Sequence, residues 1–122
     1  MKTSLFKDRY DRNFNTLSRE EQKKIGTSKV VIIGLGGLGG SVCEMLARVG
    51  IGHLTLIDGD VFEPSNLNRQ LLSQENLMGF PKAQAAKDRV KAINSEVRVT
   101  HLVQYLDESN LYDRIKDGDV IM

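Results

Sequence analysis

The sequence predicts an α/β fold in which a parallel sheet is flanked by helices. Two observations carry this prediction. Short, continuous apolar segments, typical of buried parallel strands, alternate with segments of helical periodicity. The first of these strands also runs directly into a glycine-rich turn that opens a helix. With 122 residues, of which 40% are hydrophobic and 27% charged, the chain has enough material for one domain with a core. About four strands are expected.

The first half of the chain predicts a helix, a strand and a second helix. Ser18 and Glu21 form the S-x-x-E pattern of a capping box, which predicts a short helix that ends at Gly26. The β-branched run Lys29–Ile33 predicts the first strand. The helix after it is terminated by Gly50. Its apolar residues recur at helical spacing and comprise Leu38, Val42, Met45, Leu46 and Val49.

The second half continues the alternation. A second strand covers residues 53–58, and residues 59–80, which have neither strand nor helix periodicity, indicate a long functional loop. Pro81 favours the start of another helix. The apolar face of that helix comprises Ala83, Ala86, Val90 and Ile93, and its largely outward residues are Lys82, Lys87, Asp88 and Lys91. The remaining elements are a strand over 97–103, a short helix capped by Asp107 that ends at Ile115, and a strand over 119–122.

Composition excludes several classes of partner and site. The 17 basic and 16 acidic residues are spread along the chain, so neither nucleic acid nor an anionic membrane is an expected partner. The N-terminal residues do not resemble a signal peptide, and a cytoplasmic location is expected by default. Cys43 is the single cysteine and is interpreted as a buried apolar residue. His53 and His101 fall within predicted strands and are interpreted as packing residues.

The glycine-rich turn predicts a nucleotide site. Gly34, Gly36 and Gly39 match the G-x-G-x-x-G fingerprint, in which glycines permit a tight turn and close approach of a phosphate to the amino terminus of a helix. Asp58, at the end of the second strand, supplies a carboxylate that can accept a hydrogen bond from a ribose hydroxyl. These features are typical of a Rossmann-like fold. They leave the identity of the nucleotide open between NAD and ATP.

The loop beyond the second strand favours a triphosphate. It brings together Asn66, Asn68, Arg69 and Gln70, with Lys82 following shortly after. Arg69 and Lys82 are cations that could hold β- and γ-phosphates and offset charge as pyrophosphate leaves, and Asn66 could orient the phosphates or the attacking group. A hydride-transfer enzyme has no evident use for this group. An NAD-dependent oxidoreductase is therefore the alternative hypothesis, and it assigns no role to Arg69 and Lys82.

Five separated motifs together resemble one known family. They are RYDR at 9–12, GLGGLG at 34–39, LIDGD at 56–60, SNLNRQ at 65–70 and GFPKAQAA at 79–86. Through these motifs, residues 9–122 resemble the N-terminal, nucleotide-binding part of the ubiquitin-activating-enzyme-like adenylyltransferases, the MoeB/ThiF/HesA family. Several motifs in the right order are far more specific than one glycine pattern.

The resemblance implies adenylation, dependent on ATP and Mg²⁺, of the C-terminal carboxylate of a small ubiquitin-like or sulfur-carrier protein that ends in Gly-Gly. It also implies a homodimer, in which Arg12 reaches the ATP phosphates of the other subunit, while Asp58 binds the ribose and Asp60 has a secondary role. The implied nucleotide-binding residues are Gly34, Gly36, Gly37, Gly39, Asp58, Asp60, Asn66, Arg69 and Lys82, and the implied catalytic residues are Arg69, Lys82 and Arg12. No metal ligand is assigned within the sequence.

The implied reaction fits the chemistry of these residues. A C-terminal carboxylate has a reference pKa of about 3.3–3.7 and is ionised at neutral pH, so it needs no general base. It needs its repulsion from the α-phosphate neutralised, which arginine and lysine can do.

Two segments are expected: residues 1–28, a helical segment that carries Arg12, and residues 29–122, a Rossmann-like ATP-binding domain. In the resembled family the strand predicted here at 119–122 leads into an aspartate that binds magnesium, and this sequence ends before it. We therefore expect a truncated sheet, a missing C-terminal part and little activity from the 122-residue chain alone. A third hypothesis is a non-catalytic, dimerising remnant.

Overall fold

The computed structural model describes residues 8–122, and residues 1–7 of the predicted N-terminal segment lie outside this range. The helices are α1 (Arg19–Gly26), α2 (Gly37–Val49), α3 (Lys82–Ile93) and α4 (Leu111–Ile115), and the strands are β1 (Lys29–Ile33), β2 (His53–Ile57), β3 (Arg98–Leu102) and β4 (Val120–Ile121). Short 3₁₀ helices cover Asp11–Asn15, Pro64–Asn66 and Glu75–Leu77. No helix within residues 8–122 is long and apolar enough to cross a membrane.

The four strands form one parallel sheet in the order β3-β2-β1-β4. The predicted α/β, Rossmann-like architecture is confirmed, and each predicted strand lies within one residue of its observed bounds at either end. Because all strands run in the same direction, their carboxyl ends meet at one edge of the sheet. The glycine turn after β1 and the long loop after β2 both begin at this carboxyl edge.

The core lies between the sheet and helices α2 and α3. Its strand residues include Val30, Ile32, Leu54 and Leu56, and its helix residues include Cys43, Ala47, Ala83, Ala86 and Val90. The helix contribution is made mostly of small side chains, which allow the helices to approach the sheet closely.

The predicted apolar stripe of α2 is partly wrong. Leu38 and Met45 are 79% and 64% exposed, whereas α2 buries Gly40, Cys43 and Ala47. The reason is steric: only small residues fit where the helix is pressed against the sheet and Leu72. Helical periodicity therefore located the helix but misplaced its buried face.

The long loop between β2 and α3 is attached to the core along its length. Isolated β-bridges pair Val61 with Pro81 and Phe62 with Met78. Phe62 is 1% exposed and Leu72 is 4% exposed, so the loop contributes two large side chains to the core. This packing gives the polar residues of the loop fixed positions.

The segment before α1 packs against the carboxyl end of α2. Asn94 is buried, and its Nδ2 donates to Tyr10 Oη at 2.8 Å and to the Ala47 carbonyl at 3.1 Å. Gln22 Nε2 donates to the Val49 carbonyl at 2.8 Å. The capping box of α1 is present, since the amide of Glu21 donates to Ser18 Oγ and the amide of Ser18 donates to Glu21 Oε1.

A methyl group at Gly39 is expected to destabilise the fold strongly. A Cβ there would lie 1.9 Å from the Gly34 carbonyl oxygen, and a backbone atom cannot move aside cheaply. Gly39→Ala should therefore lower the free energy of unfolding by about 3 kcal/mol or more in chemical denaturation. The control is Gly26→Ala, whose Cβ would meet nothing closer than 4.0 Å. Equal stabilities of the two variants would contradict the close contact.

Candidate nucleotide-binding site

The glycine-rich turn connects β1 to the amino terminus of α2. Gly34 has φ +88°, in the left-handed region that favours glycine, and its amide donates to the Ile57 carbonyl at 2.8 Å. Gly36 occupies the N-cap position and has no side chain to cap the first amides of α2. These amides, together with the helix dipole, form a site that attracts an anion such as phosphate.

Asp58 connects this turn to the loop after β2. Its Oδ2 accepts from the Leu35 amide at 2.7 Å, and its Oδ1 accepts from the Asp60 amide at 2.7 Å. A carboxylate has about four lone-pair positions, so both oxygens can still accept from ribose hydroxyls. The half-buried carboxylate of Asp58 is thus fixed beside the proposed phosphate position.

Asn66 stabilises the conformation of the loop after β2 through hydrogen bonds of its side chain and its carbonyl group. It is buried, and its Oδ1 accepts from the Glu63 amide at 2.8 Å. Its carbonyl oxygen accepts from the amides of Arg69 at 3.3 Å and Gln70 at 3.0 Å. This turn carries the main chain of Arg69 past the start of α2, where a Cβ on Gly37 would lie 3.9 Å from the Arg69 carbonyl oxygen. The Arg69 side chain is exposed.

The predicted outward orientation of Lys82 is wrong. Lys82 is 6% exposed, and its Nζ lies 5.9 Å from the centroid of the Phe62 ring. The helical periodicity of α3 predicts that Lys82 faces solvent. It is buried instead because the loop residue Phe62 packs over the first turn of α3. Within the described part of the chain, Lys82 has no salt bridge. A buried lysine without a carboxylate partner is uncommon and marks a position where an anion would be stabilised.

Asp60 contacts three parts of the site. Its amide donates to Asp58, its carbonyl accepts from the Lys82 amide at 3.0 Å, and its carboxylate accepts a hydrogen bond from the Tyr105 hydroxyl. That hydrogen bond to the Asp60 carboxylate is the main cause that raises the pKa of Tyr105. Asp60 therefore holds the loop, α3 and the segment after β3 together.

Two residues outside the predicted site set lie at this edge. Gln70 is 7% exposed, its Oε1 has no hydrogen-bond partner within residues 8–122, and its Nε2 would lie 3.5 Å from a Cβ on Gly36. The sequence could have indicated Gln70, because it directly follows Arg69 in the motif SNLNRQ. The sequence pattern does not indicate Tyr105, because its contact with Asp60 depends on the path of the chain after β3.

Arg12 does not join this group. It is exposed on the 3₁₀ helix Asp11–Asn15, and the neighbouring Asn13 Nδ2 donates to the Val49 carbonyl at 3.4 Å. Val49 is the last residue of α2, whose 13 residues span about 20 Å. Arg12 therefore lies at the far end of α2 from the glycine turn of its own chain.

The other predicted residues meet at the carboxyl edge of the sheet. Pairwise contacts link the glycine turn, Asp58, Asp60, Asn66, Lys82 and the main chain of Arg69. Among residues 8–122, no group of three or more His, Cys, Asp or Glu side chains could hold a metal ion.

Comparison with known proteins identifies the family. The model of the ThiF family matches residues 10–122. The chain belongs to the ThiF family. This ThiF-family chain is 37% identical, over 117 residues, to the "SAMP-activating enzyme E1" of Haloferax volcanii, covering 94% of this chain and 43% of that protein. It is 41% identical to the "Sulfur carrier protein ThiS adenylyltransferase" of Bacillus subtilis, covering 93% and 35%.

The fold of the ThiF-family chain is shared with solved structures. One is the Escherichia coli tRNA N6-threonylcarbamoyladenosine dehydratase in complex with ATP, with a TM-score of 0.89 and 29% identity over 93% of this chain and 47% of that one. The chain thus spans less than half the length of these relatives. The predicted family and fold class are confirmed.

Cys43 is expected to be unreactive in the folded chain. Burial, with a smaller contribution from the charge of Glu44, raises the pKa of its thiol to about 12. Iodoacetamide at pH 8 should therefore label the folded protein slowly, because the thiolate is the nucleophile. Mass spectrometry should show rapid labelling after denaturation, and this is the only cysteine in the sequence. Equal labelling of the folded and denatured chain would contradict the buried position.

Proposed function

We propose that this chain binds ATP at the carboxyl edge of its sheet, as the nucleotide-binding part of an adenylyltransferase. The observation that carries the proposal is Lys82, a buried cation without a salt bridge among the described residues. Its amide donates to the Asp60 carbonyl, two residues along the chain from Asp58, the carboxylate that accepts from the Leu35 amide of the glycine turn. A triphosphate supplies the anion that this arrangement lacks. The two curated relatives described above are named as an E1 and as an adenylyltransferase, and the structural neighbour was solved with ATP.

Each part of the nucleotide has a matching group. The amides at the start of α2 would donate hydrogen bonds to a phosphate, and Asp58 would accept hydrogen bonds from the ribose hydroxyls. Lys82 would hold the phosphate chain from the side of α3, and Arg69 would approach it from the loop. Asn66 would orient the phosphates through its Nδ2 donor, while its Oδ1 accepts from the Glu63 amide and holds the turn that carries Arg69.

The reaction we propose is formation of an acyl-adenylate. The C-terminal carboxylate of a small ubiquitin-like or sulfur-carrier protein attacks the α-phosphorus of ATP. A bond forms between the carboxylate oxygen and this phosphorus, while the bond to the bridging oxygen breaks and pyrophosphate leaves. The carboxylate is already ionised, so no residue has to remove a proton. Arg69 and Lys82 reduce the repulsion between the two anions and stabilise the charge on the pyrophosphate.

Mg²⁺ belongs to the same proposal as the ion that accompanies ATP. Proteins bind it through one or two carboxylates together with substrate phosphates, so it does not require a cluster of protein ligands. Its chemistry would be to neutralise phosphate charge.

The partner and assembly are also proposals. A carrier that ends in Gly-Gly would present an unhindered carboxylate at the sheet edge. A homodimer is proposed because Arg12 lies about one length of α2 from its own site, so it could reach ATP only in a second copy. We place the protein in the cytoplasm, where ATP is available and Cys43 would stay reduced.

Binding of ATP should depend on Lys82. Calorimetric titration should give measurable binding of ATP and weaker binding of NADH. Lys82→Met, which keeps the packing volume, should weaken ATP binding about tenfold or more, because a charge-assisted contact is lost. The matched control is Lys87→Met on the same helix, which should bind ATP as the wild type does.

A preference for NADH over ATP would contradict the proposal and favour the oxidoreductase. If the folded chain showed no rise in melting temperature with ATP, the non-catalytic remnant would be favoured instead.

Adenylation itself should appear as exchange of labelled pyrophosphate into ATP. The assay uses residues 1–122 together with whatever residues follow them in the gene, and a carrier protein that ends in Gly-Gly. Arg69→Ala should lower the exchange rate about a hundredfold, because a cation facing the developing charge is removed. Arg98→Ala, on the exposed amino end of β3, is the matched control. The same carrier with an amidated C-terminus should support no exchange, and exchange with the amidated carrier would disprove attack by the carboxylate.

A further inference from the structure

The order of the strands indicates in which direction a bound nucleotide would extend along the carboxyl edge of the sheet. The proposed phosphate position follows β1, and Asp58 follows β2. The next strand in the same direction is β3, because the order is β3-β2-β1-β4. A base attached to the ribose at Asp58 would therefore extend over the carboxyl end of β3, where residues 103–106 begin.

Tyr105 lies at that position. The main chain after β3 follows β2 outward, since the Asp58 amide donates to the Leu102 carbonyl at 3.1 Å and the Gln104 amide donates to the Asp58 carbonyl at 3.3 Å. The Tyr105 ring covers Gly59, where a Cβ would lie 2.5 Å from Tyr105 Cδ2. The side chain is nevertheless 67% exposed. The ring is thus supported on one side and open to solvent on the other.

The orientation of the ring is fixed by Asp60. The Tyr105 hydroxyl donates to the Asp60 carboxylate, and the Asp60 amide donates to Asp58. Two contacts, one at Gly59 and one at Asp60, thus hold an exposed aromatic side chain next to the carboxylate assigned to the ribose. An exposed tyrosine at a loop would otherwise be free to rotate.

We propose that Tyr105 forms the wall of the base subsite and that the purine of ATP stacks on its exposed face. This inference rests on the proposed function and adds to it the residue that contacts the base. Stacking on an aromatic ring requires only a planar π system, so the wall would contribute affinity for purines in general. It would contribute nothing to the binding of a phosphate chain that lacks a base.

The test compares ATP with inorganic tripolyphosphate, which has neither ribose nor base. Both are titrated by calorimetry into the wild-type chain and into Tyr105→Ala, Tyr105→Phe and Tyr112→Ala. Tyr112 is 72% exposed on α4 and serves as the matched control. Tyr105→Ala should weaken ATP binding about tenfold and leave tripolyphosphate binding unchanged. Tyr105→Phe, which keeps the ring, should retain most of the affinity for ATP, and Tyr112→Ala should match the wild type.

Fluorescence provides a second measurement. The sequence contains three tyrosines and no tryptophan, so tyrosine emission can be observed directly. ATP should quench this emission in the wild type and in Tyr112→Ala, and the quenching should be lost in Tyr105→Ala.

Three results would overturn the inference while the proposed function stands. They are unchanged ATP affinity in Tyr105→Ala, an equal loss for ATP and tripolyphosphate, and a loss in Tyr105→Phe as large as in Tyr105→Ala. If the wild-type chain bound no ATP, the proposed function would fail and this inference with it.

Discussion

Helix α2 can rest on the end of β1 only because Gly39 has no side chain. A Cβ at this residue would lie 1.9 Å from the Gly34 carbonyl oxygen. This contact places the amino terminus of α2 at the carboxyl edge of the sheet and brings the Leu35 amide within reach of Asp58. The loop after β2 then packs beside Gly36 and Gly37. The positions of the glycine turn and of Asp58 relative to each other depend on this one close approach of helix and strand.

Asp60 connects the end of β2 to the other elements at the carboxyl edge of the sheet. Its three hydrogen-bonding groups each contact a different element: the end of β2 through Asp58, the start of α3 through Lys82, and the segment after β3 through Tyr105. A residue that sequence reasoning assigned a secondary ligand role thus has a clear structural one. In our proposal its carboxylate would contribute to nucleotide binding at least by holding Tyr105 in place. Through Asp60, the residues proposed for the ribose, the phosphates and the base are connected by hydrogen bonds.

The sequence predicted those parts of the molecule that depend on local pattern. Parallel strands such as β1 are recognisable from β-branched runs, and the capping box of Ser18 and Glu21 has both of its hydrogen bonds. Predictions that depend on distant packing were weaker. The burial of Lys82 arises because Phe62 folds over α3, and the exposure of Met45 arises because smaller residues face the sheet. Tyr105 has no local sequence signal, because it contacts Gly59 only when β3 lies beside β2. The roles assigned to Asn66 and Arg69 come from chemistry and family resemblance rather than from periodicity.

The two amides that hold Asp58 have an energetic consequence. Both carboxylate oxygens are oriented by the main chain, from Leu35 on one side and Asp60 on the other. A nucleotide would therefore meet a carboxylate that is already preorganised, and little conformational entropy would be lost on binding. The ribose position would then need no rearrangement of the main chain around Asp58 when a nucleotide binds.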